Sequence, residues 1–75
     1  MQKKSRIVID PKIMGGKPVI KGTRLPVQVI VGALAGGMTV VGICKEYRVT
    51  VEDVQAALAY AAESLADEKV HALPH

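Results

Sequence analysis

Residues 15–27, GGKPVIKGTRLPV, set a Gly-Lys pair in a glycine-containing stretch, the combination that can grip a phosphate. A phosphate loop needs a glycine five positions before that pair and a Ser or Thr directly after it. Here Pro11 stands five before Gly16, and Pro18 follows Lys17, so the spacing excludes the motif. Nucleophilic catalysis asks a nucleophile, a base and an orienting group to converge. Ser5, Cys44 and Ser64 have no such company, and His71 and His75 lie at the C-terminal end. The carboxylate pairs Glu52-Asp53 and Asp67-Glu68 are adjacent in sequence, so on a helix they point apart rather than sharing a proton. Four clustered metal donors are missing too. The expectation is a protein that is not an enzyme, with no cofactor, no metal and no small-molecule substrate.

Binding chemistry is better supplied. Residues 1–24 hold Lys3, Lys4, Arg6, Lys12, Lys17, Lys21 and Arg24 against Asp10 alone, a net +6. Residues 25–75 hold three cations against six acids, a net −3. The basic N-terminal third should therefore attract a polyanion or an acidic protein surface. With no Phe or Trp and only Tyr47 and Tyr60, the chain lacks the aromatic platforms that stack single-stranded bases. Lys17, Lys21 and Arg24 are the candidates for phosphate contacts on duplex DNA, with Lys3, Lys4 and Arg6 as an arm. Gln55 is the one natural base reader near the start of a candidate recognition helix.

The elements that must position these groups can be read locally. Residues 6–10, RIVID, alternate in a β-branched run and predict a short strand ended by Asp10-Pro11. Val19-Ile20 and Thr23-Leu25 predict a hairpin about the two-residue turn Lys21-Gly22, with Pro18 and Pro26 bracketing it. Three helices should follow. The first runs from about Val27 to Ala35 and stops at Gly36-Gly37; the second is capped by Thr39 and runs to about Tyr47. Thr50 caps the third, with Asp53 three residues on in a capping-box relation. Its apolar stripe is Val51, Val54, Ala57, Leu58, Ala61, Ala62 and Leu65, opposite a polar face with Gln55, Tyr60, Glu63 and Asp67.

One domain is implied: a basic strand and hairpin region at 1–26, a three-helix bundle at 27–66 containing a helix-turn-helix at 39–63, and a tail at 67–75. The fold class expected is mainly α, a tri-helical homeodomain-like or winged-helix-like bundle preceded by a short β-strand and β-hairpin.

Leu25 to Cys44 carries no charge over twenty residues, which is membrane-spanning length. The GGMT break at 36–39 and the separate amphipathic registers on either side of it argue against a span. The reading is a cytoplasmic protein in which the single Cys44 stays reduced. Nearly half the residues are hydrophobic in a chain with no disulfide or metal staple. So small a domain buries only about 60% of the surface its unfolded chain exposes. It should complete its burial as a homodimer, against a different protein, or both.

The Gly-Gly-Lys-Pro-Val-Ile-x-Gly-Thr-Arg-x-Pro-Val core at 15–27, the later Gly-Met-Thr and the run VEDVQAALAYA closely resemble the domain-of-unknown-function-433 family of small antitoxin-like proteins. The likeness covers about residues 6–62. It implies a homeodomain-like helix-turn-helix and the antitoxin role in a type II toxin–antitoxin pair. The implied partner is a PIN-like nuclease toxin, with repression of the protein's own operon, and hence operator DNA, as a second target. The nuclease would hold its metal with carboxylates, which makes Arg48, Lys69 and the N-terminal cations candidate toxin contacts, with nothing in the sequence to choose among them. One departure from the family pattern is Val40, Val41 and Gly42, where several acids are usual. The competing reading is a stand-alone helix-turn-helix transcriptional regulator with no toxin partner.

Overall fold

A computed structural model describes residues 6–67. Strand β1, Ile7–Val8, pairs antiparallel with β2, Val19–Ile20, in the register Ile7 with Ile20 and Val8 with Val19. Between them the Asp10 carboxylate accepts the Lys12 N–H, and the chain reverses through a short 3-10 turn, Met14–Gly16. Helices α1 (Val27–Ala35), α2 (Val40–Tyr47) and α3 (Val51–Asp67) complete the fold. α3 packs mainly on α1, with α2 and β1 at its sides.

The expected hairpin is present but narrower than its sequence suggests. Ile20 accepts the Thr23 N–H across Lys21-Gly22, with Gly22 at φ +81° as the third residue of such a turn requires. Thr23 Oγ1 donates to the Ile20 carbonyl at 2.7 Å and accepts the Leu25 N–H at 2.9 Å, so one hydroxyl ties both arms. Thr23–Leu25 does not form a strand; the second arm is reduced to a bridge between Val19 and Pro26. The Ile20 N–H donates to Leu25 and the Val27 N–H to Pro18 on either side of that bridge, and the arm goes no further because α1 begins at Val27.

Helix ends follow the local signals. Gly37, at φ +103°, sits where the chain leaves α1, with its N–H on Leu34 and that of Met38 on Ala33. That pair of bonds is the glycine-terminated stop expected from the Gly36-Gly37 sequence. Thr39 Oγ1 accepts the Gly42 N–H at 2.9 Å to begin α2. At α3 the capping box is reciprocal: Asp53 N–H donates to Thr50 Oγ1, and Thr50 N–H donates to the Asp53 carboxylate, both at 3.0 Å.

The core is aliphatic. Ile20, Val27, Ile30, Ile43, Val49, Val54 and Ala57 form it, and Tyr47 and Tyr60 pack against its margin. This corrects the stripe read from the sequence. Val54 and Ala57 point inward, but Val51, Leu58, Ala62 and Leu65 are exposed, and Tyr60 lies on the inner side rather than the polar face. The inward side of α3 is set by buried Val54, Ala56 and Ala57, with Tyr60 half-buried against the core.

Among the described residues no helix is long and apolar enough to cross a membrane. One helical position is open to improvement. Gly32 is exposed in α1, and a Cβ there would meet no atom within 4 Å. Gly32→Ala should therefore raise stability by about 0.5–1 kcal/mol through helix propensity alone. A urea midpoint unchanged or lowered, at unchanged m-value, would contradict this.

Candidate docking surface

The residues proposed from sequence for binding do not gather on one patch. Lys21 and Arg24 are exposed on and beside the β-turn, and the Lys21 N–H donates to the Arg6 carbonyl at 2.8 Å. This fixes the turn next to Arg6, whose guanidinium donates to Asp53 at 2.9 Å in the first turn of α3. Lys17 lies elsewhere, on the groove formed with Tyr60, Ser64 and Leu65 in the second half of α3. Gln55 is exposed, but two residues beyond Asp53 it faces away from the Arg6 bridge, since neighbours two apart on a helix do not share a face. Arg48 is exposed where α2 ends, held in the left-handed conformation at φ 59°. Lys69, Lys3 and Lys4 lie outside the described residues.

Arg6 departs from the expected arm. It is tied to the domain through Asp53 across 47 positions of sequence. The same contact engages one of the two acids at the start of α3. Burial by itself would raise the Asp53 pKa. The Thr50 backbone N–H, the Arg6 guanidinium and the Thr50 hydroxyl outweigh it and hold the carboxyl below its ordinary value. Asp53 therefore serves capping and ion pairing, and Glu52 is exposed beside it.

A groove of about 490 Å³ lies between α1 and the second half of α3. Pro18, Pro26, Val27, Val31, Tyr60 and Leu65 wall it, and among the described residues Lys17 is its sole charged one. Beside it runs the outer face of α3, where Val51 is 46% exposed, Leu58 42% and Leu65 69%. Sequence reasoning missed this surface by assigning those side chains to the interior. Their spacing of seven, with Gln55 and Ala62 between, was the available signal. Among the described residues there is no group of three or more His, Cys, Asp or Glu placed to hold a metal. No polar or charged described side chain is buried. What this arrangement offers a partner is apolar area with a few cations at its margins.

The profile of a family described as protein of unknown function (DUF433) matches residues 7–61. A protein of Archaeoglobus fulgidus described as uncharacterized is 70% identical over 23 residues, 31% of this chain and 64% of that relative's length. The crystal structure of a DUF433 member from Anabaena variabilis superposes with a TM-score of 0.78 at 27% identity, covering 93% of this chain and 70% of the other. Rv2018 from Mycobacterium tuberculosis superposes at 0.65 with 31% identity, over 73% of this chain but only 26% of that protein.

Proposed function

This chain belongs to the DUF433 family, and on that footing we propose that it acts by occupying another protein: a cytoplasmic antitoxin that binds and silences a PIN-like nuclease. The observation that carries this reading is the α1–α3 groove, apolar along its walls with Lys17 as its one charge among the described residues. Such a groove accepts an aliphatic or aromatic anchor from a partner, and Lys17 then faces a carboxylate beside it. Arg48, exposed on the α2–α3 link, supplies a second cation for an acidic rim.

Repression of the protein's own operon is a second role. It is supported by Lys21 and Arg24, exposed together at the turn. The same pair supports a stand-alone regulator. The face of α3 speaks against base reading, because Val51, Leu58 and Leu65 crowd the line on which Gln55 stands.

Co-expression with the product of the adjacent reading frame tests the proposal. The expected result is a co-purifying complex without nuclease activity, weakened at least about tenfold by Gly32→Lys, which places a charged chain in the groove without disturbing α1. A nuclease that stays active beside equimolar folded protein would overturn it. If operator DNA is bound in place of a protein, Lys21→Ala with Arg24→Ala should lower the salt slope by about two.

A further inference from the structure

The backbone of β1 is satisfied on one side and open on the other. The sheet has two strands, so β2 is the only neighbour of β1 among the described residues. The Lys21 N–H donates to the Arg6 carbonyl, whereas Ile20 gives its N–H to Leu25 and its carbonyl to Thr23. Ile7 stands opposite Ile20 and therefore exchanges no bonds with it. Antiparallel positions alternate in this respect. Arg6 and Val8 thus turn their peptide groups towards β2, and Ile7 and Ile9 turn theirs to the open edge. The Ile9 side chain is 57% exposed beside that edge. With Ile7, Tyr60 and Glu63 it borders a hollow of about 270 Å³.

An open edge takes an extended segment, and the sequence of this one matches a second copy of itself. Residues 6–10, Arg-Ile-Val-Ile-Asp, are aliphatic at the centre, with a cation at one end and an acid at the other. Laid antiparallel on its own copy about Val8, the segment sets Ile7 opposite Ile9, Val8 opposite Val8 and Arg6 opposite Asp10. Aliphatic pairs and opposite charges are the favourable cross-strand neighbours. The same centre is the one the backbone asks for. A two-fold axis at Val8 needs the peptide groups of residues 7 and 9 to face outward, which the ladder with β2 independently requires.

We propose that two copies of this chain join β1 to β1, antiparallel about a two-fold axis at Val8, and so form one four-stranded sheet. Ile7 of each copy then exchanges both N–H···O bonds with Ile9 of the other. The second copy's Ile9 comes to lie across from Ile7, on the side chain face that borders the hollow. Arg6 has donors to spare for Asp10 of the other copy. One of its nitrogens bonds Asp53, its side chain is 43% exposed, and a guanidinium carries five N–H groups. Asp10 accepts the Lys12 N–H through one carboxylate oxygen, and the second oxygen can receive Arg6. Three central residues a side make a contact smaller than a standard interface, so the expected dissociation constant is on the order of 100 μM.

The test uses the full chain alone, so it does not depend on the antitoxin reading. Sedimentation equilibrium from about 10 μM to about 1 mM should show a monomer–dimer exchange. Ile9→Asp should weaken association at least about tenfold with helical circular dichroism unchanged, because residue 9 is exposed in the single chain and the new carboxylate would face Ile7 of the other copy. Leu58→Glu, a change on exposed α3 surface, should leave association as it is. For the register, Val8→Cys in a Cys44→Ala background should form a disulfide-linked dimer under mild oxidation, since facing α-carbons at such a centre lie about 4.5 Å apart. A monomer throughout that range, or a dimer that Ile9→Asp leaves intact and Leu58→Glu abolishes, would overturn the pairing. A dimer in which Val8→Cys stays unlinked would overturn the register.

Discussion

Ile30→Ala is expected to lower stability by roughly 3 kcal/mol, and with it the melting temperature by more than about 10 °C. Ile30 is completely buried on α1, within the cluster that also holds Ile20, Ile43 and Val54. No aromatic ring at the centre of that cluster can swing in to fill the space, because the two tyrosines lie at its margin. β-Branched neighbours have stiff side chains, so the cavity stays largely open and its cost adds to the lost transfer energy. In a domain this small the loss is a large share of the total. Val41→Ala is the control: Val41 is 63% exposed, and its truncation should stay within about 0.5 kcal/mol. Thermal melts at one fixed protein concentration decide the matter, since dimerisation would make the midpoint concentration-dependent. A shift for Ile30→Ala no larger than that for Val41→Ala would show that the core is elsewhere.

Asp53→Ala should have the next largest effect, a loss of about 1.5–3 kcal/mol at neutral pH. Its carboxylate accepts the Thr50 N–H at the start of α3 and also pairs with Arg6. Both interactions disappear together, and Arg6, next to β1, loses its tether to the helix. The ion-pair share is modest because the Arg6 side chain is 43% exposed. The effect depends on pH. The folded pKa of Asp53 lies below its ordinary value, so the charged form is favoured by folding. The resulting stability is fully present above an unfolded carboxylate value of about 3.9. It is lost as the pH falls through the lower folded value. Asp53→Asn, which keeps an oxygen acceptor but no charge, should therefore show a shallower acid limb than wild type. Urea titrations between about pH 6 and pH 2.5 measure the difference between the two. A gap between wild type and Asp53→Asn that stays constant across that range would mean the carboxylate's charge contributes nothing.

The limits of the three helices were legible because each is written in a few adjacent residues. Thr39 with Gly42, Thr50 with Asp53 and the Gly36-Gly37 stop are bonds between groups three to five positions apart, so the sequence carries both partners side by side. The Lys21-Gly22 turn is of the same kind. The binding surface was not legible in this way. Lys17, Lys21 and Arg24 read as one basic set along the chain, with Gln55 as a separate base reader on the third helix. The fold instead leaves Lys17 at the groove, fixes the turn beside Arg6, and sends Gln55 outward.

By itself, then, the sequence determined three capped helices after a short β region, an aliphatic interior and more apolar side chain than one small domain hides. Tertiary structure alone decided which side of α3 faces inward and that Arg6 serves Asp53 rather than a free arm. The reason is range and ambiguity. Caps and turns are settled by neighbours along the chain, whereas α3 is so rich in alanine that apolar residues lie on most of its circumference. Several rotations satisfy its periodicity, and only packing against α1, α2 and β1 selects the one that buries Val54 and Ala57 and leaves Val51, Leu58 and Leu65 facing out.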